Sequence, residues 1–240
     1  YRNDGAQENG VIHFTDVSEK EGITIEGFGL GISVCDLNQD NWPDLYVSND
    51  FLTNDLVYIN THKNGKHLGF VNQAHESLRH TTYNGMGNDV ADFNNDGKTD
   101  LATSPNIVSL ALLVDISPNI RQWQASNAPI SIFLNTTPSG GANNFSLTPI
   151  TGFAKDSFGW NGTIALADFN GDGNLDLGVA NGSSQSTLFG IVEGDGKGNF
   201  GTIKQYIGYS NEADGYDPNY KRAIAYLNTA DFNNDGQIDI

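Results

Sequence analysis

The chain has 240 residues and a formal net charge of −17, with 29 acidic residues against 12 basic ones. A surface this acidic argues against nucleic acid and against anionic membranes as partners. No apolar run approaches the ~20 residues of a membrane-spanning helix, so membrane insertion is not expected. The 28 glycines, together with many Asn and Asp residues, indicate dense turns between short strands.

The first segment of the chain is predicted to be part of a repeat unit. Residues 1–5 are expected to form the closing turn of that unit, and residues 1–13 its end. Two arrangements remain open: residues 1–13 complete the last unit and close a ring, or the sequence is a piece of a longer array. We favour the longer array, and the residues that flank Tyr1 and Ile240 in the intact protein would decide the question.

Cys35 is the single cysteine, so no intrachain disulfide can form. It lies in the apolar run 32–35, where we predict a buried structural thiol rather than a reactive one. A chain with one cysteine is compatible with an extracytoplasmic protein that uses metal ions in place of disulfides.

Four copies of one ten-residue pattern dominate the sequence. Each copy has Asp at positions 1, 5 and 9, Asn at position 3, Gly or Asn at position 6, and an apolar residue at positions 2 and 10. The copies, called loops 1 to 4 below, span residues 36–45, 92–101, 168–177 and 231–240. Four matches to so strict a pattern are not expected by chance, so the sequence indicates a repeat protein.

Short apolar segments flank these loops. They are rich in small and β-branched residues and alternate in part, as is typical of β-strands. The segments predicted as strands before a loop are 31–35, 88–91 and 163–167, and those after a loop are 44–48 and 176–180. Each loop is therefore predicted to connect two strands.

A second marker recurs in step with the loops, because a phenylalanine follows a turn rich in Gly or Asn in each unit. These residues are Phe14, Phe70, Phe145 and Phe200. They divide the chain into units 14–69, 70–144, 145–199 and 200–240, the last incomplete. A unit of this length with four short strands suits a propeller blade or a sandwich repeat. Insertions are predicted at 103–129 and 209–222, and loops of such length are either functional or disordered.

The chemistry of the loops points to calcium. Ca²⁺ takes six to eight oxygen ligands in flexible geometry, and side chains at positions 1, 3 and 5 of a tight loop can converge on one point. A main-chain carbonyl at position 7 and a carboxylate at position 9 complete most of the shell. Position 6 must adopt a positive φ, which Gly allows and Asn tolerates. Three carboxylates in each loop favour Ca²⁺ over Mg²⁺, and no soft ligands suggest zinc or copper.

One calcium ion is expected in each loop, and four ions would offset much of the negative charge. The predicted ligands are Asp36, Asn38, Asp40, Trp42 and Asp44 in loop 1; Asp92, Asn94, Asp96, Lys98 and Asp100 in loop 2; Asp168, Asn170, Asp172, Asn174 and Asp176 in loop 3; and Asp231, Asn233, Asp235, Gln237 and Asp239 in loop 4. At position 7, Trp42, Lys98, Asn174 and Gln237 contribute the carbonyl oxygen only. No catalytic residue is assigned.

Two other interpretations of the loops were weighed. They could be ordinary Asp/Asn turns between strands, which are common in β proteins; four copies in register disfavour this. EF-hand and dockerin loops share the first five positions, but an EF-hand needs a Glu at position 12 and a following helix. Here position 12 is Val47, Thr103 or Val179, and strand sequence follows.

These features resemble the FG-GAP/VCBS repeat family, whose blades occur in integrin α-subunit propellers and in many bacterial secreted proteins. The resemblance rests on the four loops and on the Phe-Gly pairs at 28–29 and 158–159. Residues 14–23, with Arg2–Gly5, also resemble a bacterial group related to cartilage acidic protein. The resemblance implies an all-β propeller of four-stranded blades over residues 1–240, part of a six- to eight-bladed ring, with calcium in each blade and an extracellular or cell-surface location. Asn41 and Pro43 depart from the family pattern in loop 1.

Three functional hypotheses follow. The favoured one is a non-catalytic binding or adhesion module that recognises an extracellular protein or glycan through propeller loops. Aromatic residues in or near the insertions suit stacking on a sugar or contact with a protein; they are Trp123, Tyr209, Tyr216 and Tyr220. A further hypothesis is a structural repeat segment of a surface stalk or filament, which would self-assemble.

The remaining hypothesis is a carbohydrate-active enzyme, a polysaccharide lyase or hydrolase on a propeller scaffold. It is suggested by four histidines in one region, His62, His67, His75 and His80. No nucleophile motif or zinc-spaced set accompanies them. Carboxylates that bind calcium are also poor general acids, so a non-catalytic role is favoured.

Overall fold

The computed structural model describes residues 1–50, 53–78, 85–105, 130–138, 142, 144–150, 161–181, 187–207 and 227–240. The strands are β1 (Arg2–Ala6), β2 (Ile12–Thr15), β3 (Phe28–Cys35), β4 (Asp44–Asp50), β5 (Leu56–Lys63), β6 (Lys66–Asn72), β7 (Gly85–Ala91), β8 (Asp100–Pro105), β9 (Ile130–Asn135), β10 (Phe145–Ile150), β11 (Asn161–Ala167), β12 (Asp176–Asn181), β13 (Thr187–Val192) and β14 (Lys204–Ile207). One short helix, α1 (Ala74–Leu78), follows β6, and the Asn72 side chain accepts the Ala74 N–H at its start.

The strands form three four-stranded antiparallel sheets and one hairpin. Sheet 1 contains β3 to β6, sheet 2 contains β7 to β10 and sheet 3 contains β11 to β14, each in sequence order. The hairpin pairs β1 with β2. The all-β prediction is thereby confirmed, and sheets of this kind are consistent with propeller blades. The ring and its number of blades stay predictions.

The strands predicted around the loops are all present. The three segments before a loop lie in β3, β7 and β11, and the two after a loop lie in β4 and β12. The prediction for residues 1–5 was wrong, because β1 runs from Arg2 to Ala6 and pairs with β2. The turn lies at residues 7–10, where the Gln7 N–H donates to the Val11 carbonyl. The Gly and Asn near the N-terminus suggested a turn; Gly5 does have a positive φ of 84°, but it lies at a register shift within the paired strands and not in a turn.

The repeat seen in the sequence is offset from the sheets by one strand. Phe14 lies in β2, Phe70 in β6 and Phe145 at the start of β10. Each of these strands is the last of its sheet or hairpin. A sequence unit therefore begins on the last strand of one sheet and continues through the first three strands of the next, so each unit bridges two neighbouring sheets.

Neighbouring sheets pack face to face through apolar cores. One buried cluster joins Leu37, Tyr46 and Val57 of the sheet 1 region to Leu101 and Phe133 of sheet 2. A second cluster joins sheets 2 and 3, and it contains Phe93, Ile130, Ile132, Ile164, Leu177 and Val179. Burial of such side chains is the main stabilising contribution to the fold.

Strand β7 also connects the sheets on both of its sides through polar side chains. Asn88 accepts the Ser33 hydroxyl at 2.6 Å and donates to the Ser48 hydroxyl at 2.9 Å, both in sheet 1. Asp89 accepts the Leu166 N–H of sheet 3 at 3.2 Å. Two successive residues of one strand, whose side chains point to opposite faces, thus hold the two neighbouring sheets.

The sheets have two different ends. Loops 1 to 3 connect the first and second strands of each sheet, and the turns between the third and fourth strands lie at the same end because the strands are antiparallel. We call this the Asp-loop end. The connections between second and third strands, and those from one sheet to the next, leave from the opposite end. The predicted insertions at 103–129 and 209–222 are such connections, although residues 106–129 and 208–226 lie outside the described residues.

Candidate metal centres

Loops 1 to 3 each turn the chain sharply between two strands, and loop 4 turns it between Ala230 and Asp239, which form an isolated bridge. The predicted positive φ at position 6 is present in all four loops, at Asn41 (67°), Gly97 (82°), Gly173 (87°) and Gly236 (87°). Position 4 also has a positive φ, which ranges from 57° at Asn95 to 74° at Gly171. The sequence analysis missed this second position, although its residues (Gln, Asn, Gly and Asn) include three that tolerate the left-handed region.

The side chain at position 1 organises the loop through its own backbone. In loop 2 the Asp92 carboxylate accepts the N–H of Asp96 at 3.0 Å and that of Gly97 at 2.8 Å. Loops 1, 3 and 4 repeat both hydrogen bonds. Because one carboxylate binds two successive N–H groups, its oxygens lie against the tightest part of the turn.

Positions 3 and 5 bring their oxygens to the same stretch of backbone. In loop 3 the Asn170 side-chain oxygen accepts the Asp172 N–H at 2.8 Å, and the Asp172 carboxylate accepts the Asn174 N–H at 2.8 Å. The other three loops form the equivalent bonds. The side chains at positions 1, 3 and 5 therefore all bind the same short backbone segment, while their convergence on a metal ion stays a prediction.

The aspartate at position 9 has a separate structural role. In loops 1 to 3 this residue is fully buried, and both carboxylate oxygens accept backbone N–H groups. Asp100 accepts the N–H of Phe93 at 2.8 Å and that of Asn135, at the end of β9, at 2.6 Å. Asp44 likewise accepts the N–H of Leu37 and that of Asn60, within β5, and Asp176 accepts the N–H of Phe169 and that of Gly194, just after β13. In loops 1 to 3, position 9 thus joins the loop to the third strand of its sheet or to the residues just after that strand.

The buried carboxylate at position 9 is electrostatically unfavourable in loops 1 to 3. Burial, with a smaller contribution from the nearby carboxylates of Asp40 and Asp36, raises the pKa of Asp44 to about 6. Burial likewise raises the pKa of Asp100 to about 6, and the other two aspartates of loop 2 act in the same direction. The pKa of Asp176 is also raised by burial. Repulsion between carboxylates of one loop is what a bound divalent cation would relieve.

The donors fit calcium in their chemistry. Every predicted ligand atom is an oxygen of a carboxylate, an amide or a main-chain carbonyl, which are the donors that Ca²⁺ takes. Within the described part of the chain, no three His, Cys, Asp or Glu side chains form a group that could hold a metal ion by themselves. The predicted shell also includes the Asn oxygen at position 3 and the carbonyl at position 7, and the calcium assignment stays a prediction.

Loops 1 and 2 differ from the others in what contacts the carboxylate at position 5. In loop 1, His62 Nε2 lies 3.0 Å from Asp40 Oδ2, and the imidazole stacks on the Trp42 ring with centroids 4.8 Å apart. In loop 2, the Lys98 ammonium lies 3.6 Å from Asp96 Oδ2. The sequence analysis assigned Trp42 and Lys98 only a carbonyl ligand, so it did not anticipate either side-chain contact.

The other residues singled out in the sequence are placed as follows. His67 contacts the Asn60 side chain at 2.6 Å and the Glu21 carboxylate at 2.7 Å. Cys35 is half-buried rather than buried, and burial raises the pKa of its thiol to about 12, so an unreactive thiol agrees with the prediction. Five residues lie outside the described part of the chain; they are His80, Trp123, Tyr209, Tyr216 and Tyr220.

A cavity of about 430 Å³ lies at the opposite end from the loops, on sheet 1. Its lining includes Asn49, Asn54, Asp55 and His75. The buried Asp55 carboxylate accepts the Tyr46 hydroxyl at 2.6 Å and the Asn49 N–H at 2.9 Å. These bonds tie Asp55 to β4, so this wall of the cavity is polar.

Comparison with known proteins identifies the repeat. Residues 36–103, which contain loops 1 and 2, match the family model described as FG-GAP-like repeat. A search of the curated proteins found no match to the chain. Within the described residues, no helix is long and apolar enough to cross a membrane. Residues 36–103 therefore carry an FG-GAP-like repeat, as loops 1 and 2 predicted, while the assignment of the other repeats and the resemblance to one bacterial subgroup stay predictions.

Proposed function

We propose that this chain is part of a calcium-stabilised extracellular β-propeller that binds a protein or glycan at the end opposite the Asp loops. The observation that carries the proposal is the separation of two kinds of connection. Short Asp loops and hairpin turns occupy one end, whereas the connections that hold both predicted insertions leave from the other. FG-GAP repeats are typical of extracellular proteins, which supports the location.

An exposed apolar face of sheet 1 supports the proposal of a propeller. Ile32 and Ile164 occupy the same position, four residues before the first Asp of their loops. Ile164 is 4% exposed because sheet 2 covers it, whereas Ile32 is 64% exposed. Val34, on the same face, is 61% exposed. A further sheet of the same kind on this face would give sheet 1 the environment that sheets 2 and 3 already have. Another copy of the chain would cover the face in the stalk or filament alternative.

We place the ligand site at the end opposite the Asp loops, because the connections there differ in length whereas the Asp loops are short and alike. Binding residues are commonly carried on connections held by a rigid scaffold. At the Asp-loop end, the aspartates of loops 1 to 3 form backbone hydrogen bonds within the loop and with the third strand or the residues just after it. At the opposite end lie the longer connections and the cavity beside Asn54 and His75.

Calcium binding is tested by thermal unfolding in excess EGTA and in millimolar CaCl₂. Each ion that binds only the folded state at 100 times its Kd stabilises it by about 2.7 kcal/mol, so several ions should raise Tm by at least about 10 °C. MgCl₂ at the same concentration is the control and should have a much smaller effect. An unchanged Tm in EGTA would contradict the proposal.

Ligand binding is tested with glycan arrays and panels of extracellular proteins, using the calcium-saturated protein. Asn54→Ala and His75→Ala, at the proposed binding end, should weaken binding to any ligand found. Lys63→Ala and Lys66→Ala, beside the turn at the Asp-loop end, are the matched controls and should not. If only the lysine variants weaken binding, the ligand binds at the Asp-loop end and the proposed location is wrong. Release of product from a polysaccharide would favour the enzyme alternative.

A further inference from the structure

Loop 2 contains a cation of its own. The Lys98 ammonium lies 3.6 Å from Asp96 Oδ2 and 3.5 Å from the Asn135 carbonyl oxygen. The Lys98 side chain is only 25% exposed, so it lies along the protein surface rather than extending into solvent. Asn135 lies at the end of β9, and its N–H donates to Asp100 of loop 2. The Lys98 ammonium therefore contacts both loop 2 and the end of β9.

The carboxylate at position 5 has a different partner in the other loops. In loops 1, 3 and 4 its Oδ2 accepts a hydrogen bond from the Asn amide at position 3, at 2.9 to 3.1 Å. In loop 2 the contact to Asp96 Oδ2 comes from Lys98 instead. Among the described residues, no Lys or Arg forms an ion pair with Asp172 or Asp235, the equivalent residues of loops 3 and 4.

We propose that the Lys98 ammonium is a built-in counter-ion of loop 2, so that this loop binds calcium more weakly than loops 3 and 4 and fills after them. A calcium ion in loop 2 would have to displace the ammonium from Asp96 or bind beside a positive charge. Either event costs free energy that calcium binding to loops 3 and 4 does not require. Loop 1 has its own contact from His62 and is left out of the ranking.

The position of Lys98 in the loop makes the proposal testable. Position 7 is predicted to supply only its main-chain carbonyl, so its side chain can be exchanged without removing a ligand. Gln237 occupies this position in loop 4 and is exposed. Lys98→Gln therefore gives loop 2 the residue of loop 4, and Gln237→Lys gives loop 4 the residue of loop 2. Lys20→Gln removes the same charge at an exposed site beside Glu21 and is the control.

Calcium titration by calorimetry should separate the sites by affinity. The inference rests on the proposed calcium binding, and wild type should show a tight class and a weaker class of sites. Lys98→Gln should tighten one weaker site by about fivefold to tenfold, since exposed ion pairs contribute up to about 1 kcal/mol and calcium carries two charges. Gln237→Lys should weaken one tight site. Lys20→Gln should leave the titration unchanged, and an unchanged titration for Lys98→Gln would overturn the inference.

Thermal unfolding gives a second test, because the effect of Lys98→Gln on Tm should differ in sign with and without calcium. A purely structural role of Lys98 would not produce this difference. In EDTA, Lys98→Gln should lower Tm by about 1–3 °C, because it removes the charge that offsets the loop carboxylates. In saturating CaCl₂ its Tm should equal or exceed that of wild type. If Lys98→Gln lowers Tm equally in both buffers, the inference about Lys98 is overturned while the proposed calcium binding stands. No response to calcium in any variant would refute the proposed calcium binding and, with it, this inference.

Discussion

Loops 2 and 4 have almost the same sequence but very different surroundings. In both, the Asp at position 1 accepts the N–H groups of positions 5 and 6, and the Asp at position 5 accepts the N–H of position 7. Phe93 at position 2 of loop 2 is 2% exposed, whereas Phe232 in loop 4 is 69% exposed. The internal geometry of a loop is therefore encoded locally, while its burial depends on the sheets around it.

The burial of loop 2 comes from two directions. Phe93 lies in the core between sheets 2 and 3 and contacts the Phe200 ring edge-on, with centroids 5.7 Å apart. Asp100 is clamped to the end of β9 by the Asn135 N–H. Asp239 in loop 4 accepts the Phe232 N–H, and within residues 227–240 its strand pairing is a single bridge to Ala230. The comparison predicts that equivalent substitutions have unequal effects.

The largest difference is expected at position 2. Phe93→Ala should lower the free energy of unfolding by about 3–5 kcal/mol, because it leaves a cavity between two sheets. Phe232→Ala should change it by less than about 0.5 kcal/mol, since an exposed side chain loses little contact. Urea unfolding in EGTA measures both without a contribution from metal. Equal losses would show that Phe232 is packed in solution and would remove the distinction between the two loops.

A smaller difference is expected at position 9. Asp100→Ala leaves two buried N–H groups without acceptors, at about 1–3 kcal/mol each, and removes a buried carboxylate whose raised pKa shows that its charge is costly. We expect a net loss of about 2–4 kcal/mol. Asp239→Ala exposes a single N–H to solvent and should cost less than about 1 kcal/mol. A loss at Asp100 no larger than that at Asp239 would contradict the assignment of position 9 as a clamp.

The same comparison shows how far the sequence could predict the structure. Loop geometry was predictable because it depends on hydrogen bonds between residues at most five positions apart, and those spacings are visible in the sequence. The burial of Phe93 and the exposure of Phe232 were not predictable, because the two residues and their neighbours are nearly the same. The contacts of Lys98 and His62 were missed for a related reason, since each depends on where a side chain lies relative to a strand.

The sequence revealed a recurring unit but not the division of the chain into sheets. The phenylalanine marker identifies a recurring unit, and the structure assigns that phenylalanine to the last strand of the preceding sheet. Strand order within a sheet depends on pairing between chain segments, for which a single sequence carries no direct signal. The polarity of the sheets, with Asp loops at one end and longer connections at the other, became visible only once that order was known.

The smallest predicted effect concerns the position three residues before each loop. Asp89 precedes loop 2 and Asn228 precedes loop 4, so the chain itself contains the substitution Asp→Asn. Asn228 is exposed, whereas Asp89 lies at the contact with sheet 3, where burial raises its pKa despite hydrogen bonds from the Val90 and Leu166 N–H groups. A raised pKa means that the folded protein holds the Asp89 proton more tightly than the unfolded chain. Ionisation therefore destabilises the fold, and the loss grows as the pH rises from about 4 through the folded pKa.

Asp89→Asn should keep the acceptor for the Leu166 N–H and remove the buried charge. Its free energy of unfolding in EGTA should match that of wild type near pH 4 and exceed it by up to about 1 kcal/mol at pH 7. Asp16→Asn is the control, because the pKa of this exposed carboxylate is lowered by the Ser18 N–H and its loss should bring no gain at pH 7. A variant less stable than wild type at pH 7 would show that the charged form of Asp89 holds sheet 3 more strongly than burial opposes it. In that case the ionised Asp89 carboxylate would stabilise the contact between sheets 2 and 3, a role that the exposed Asn228 does not have in loop 4.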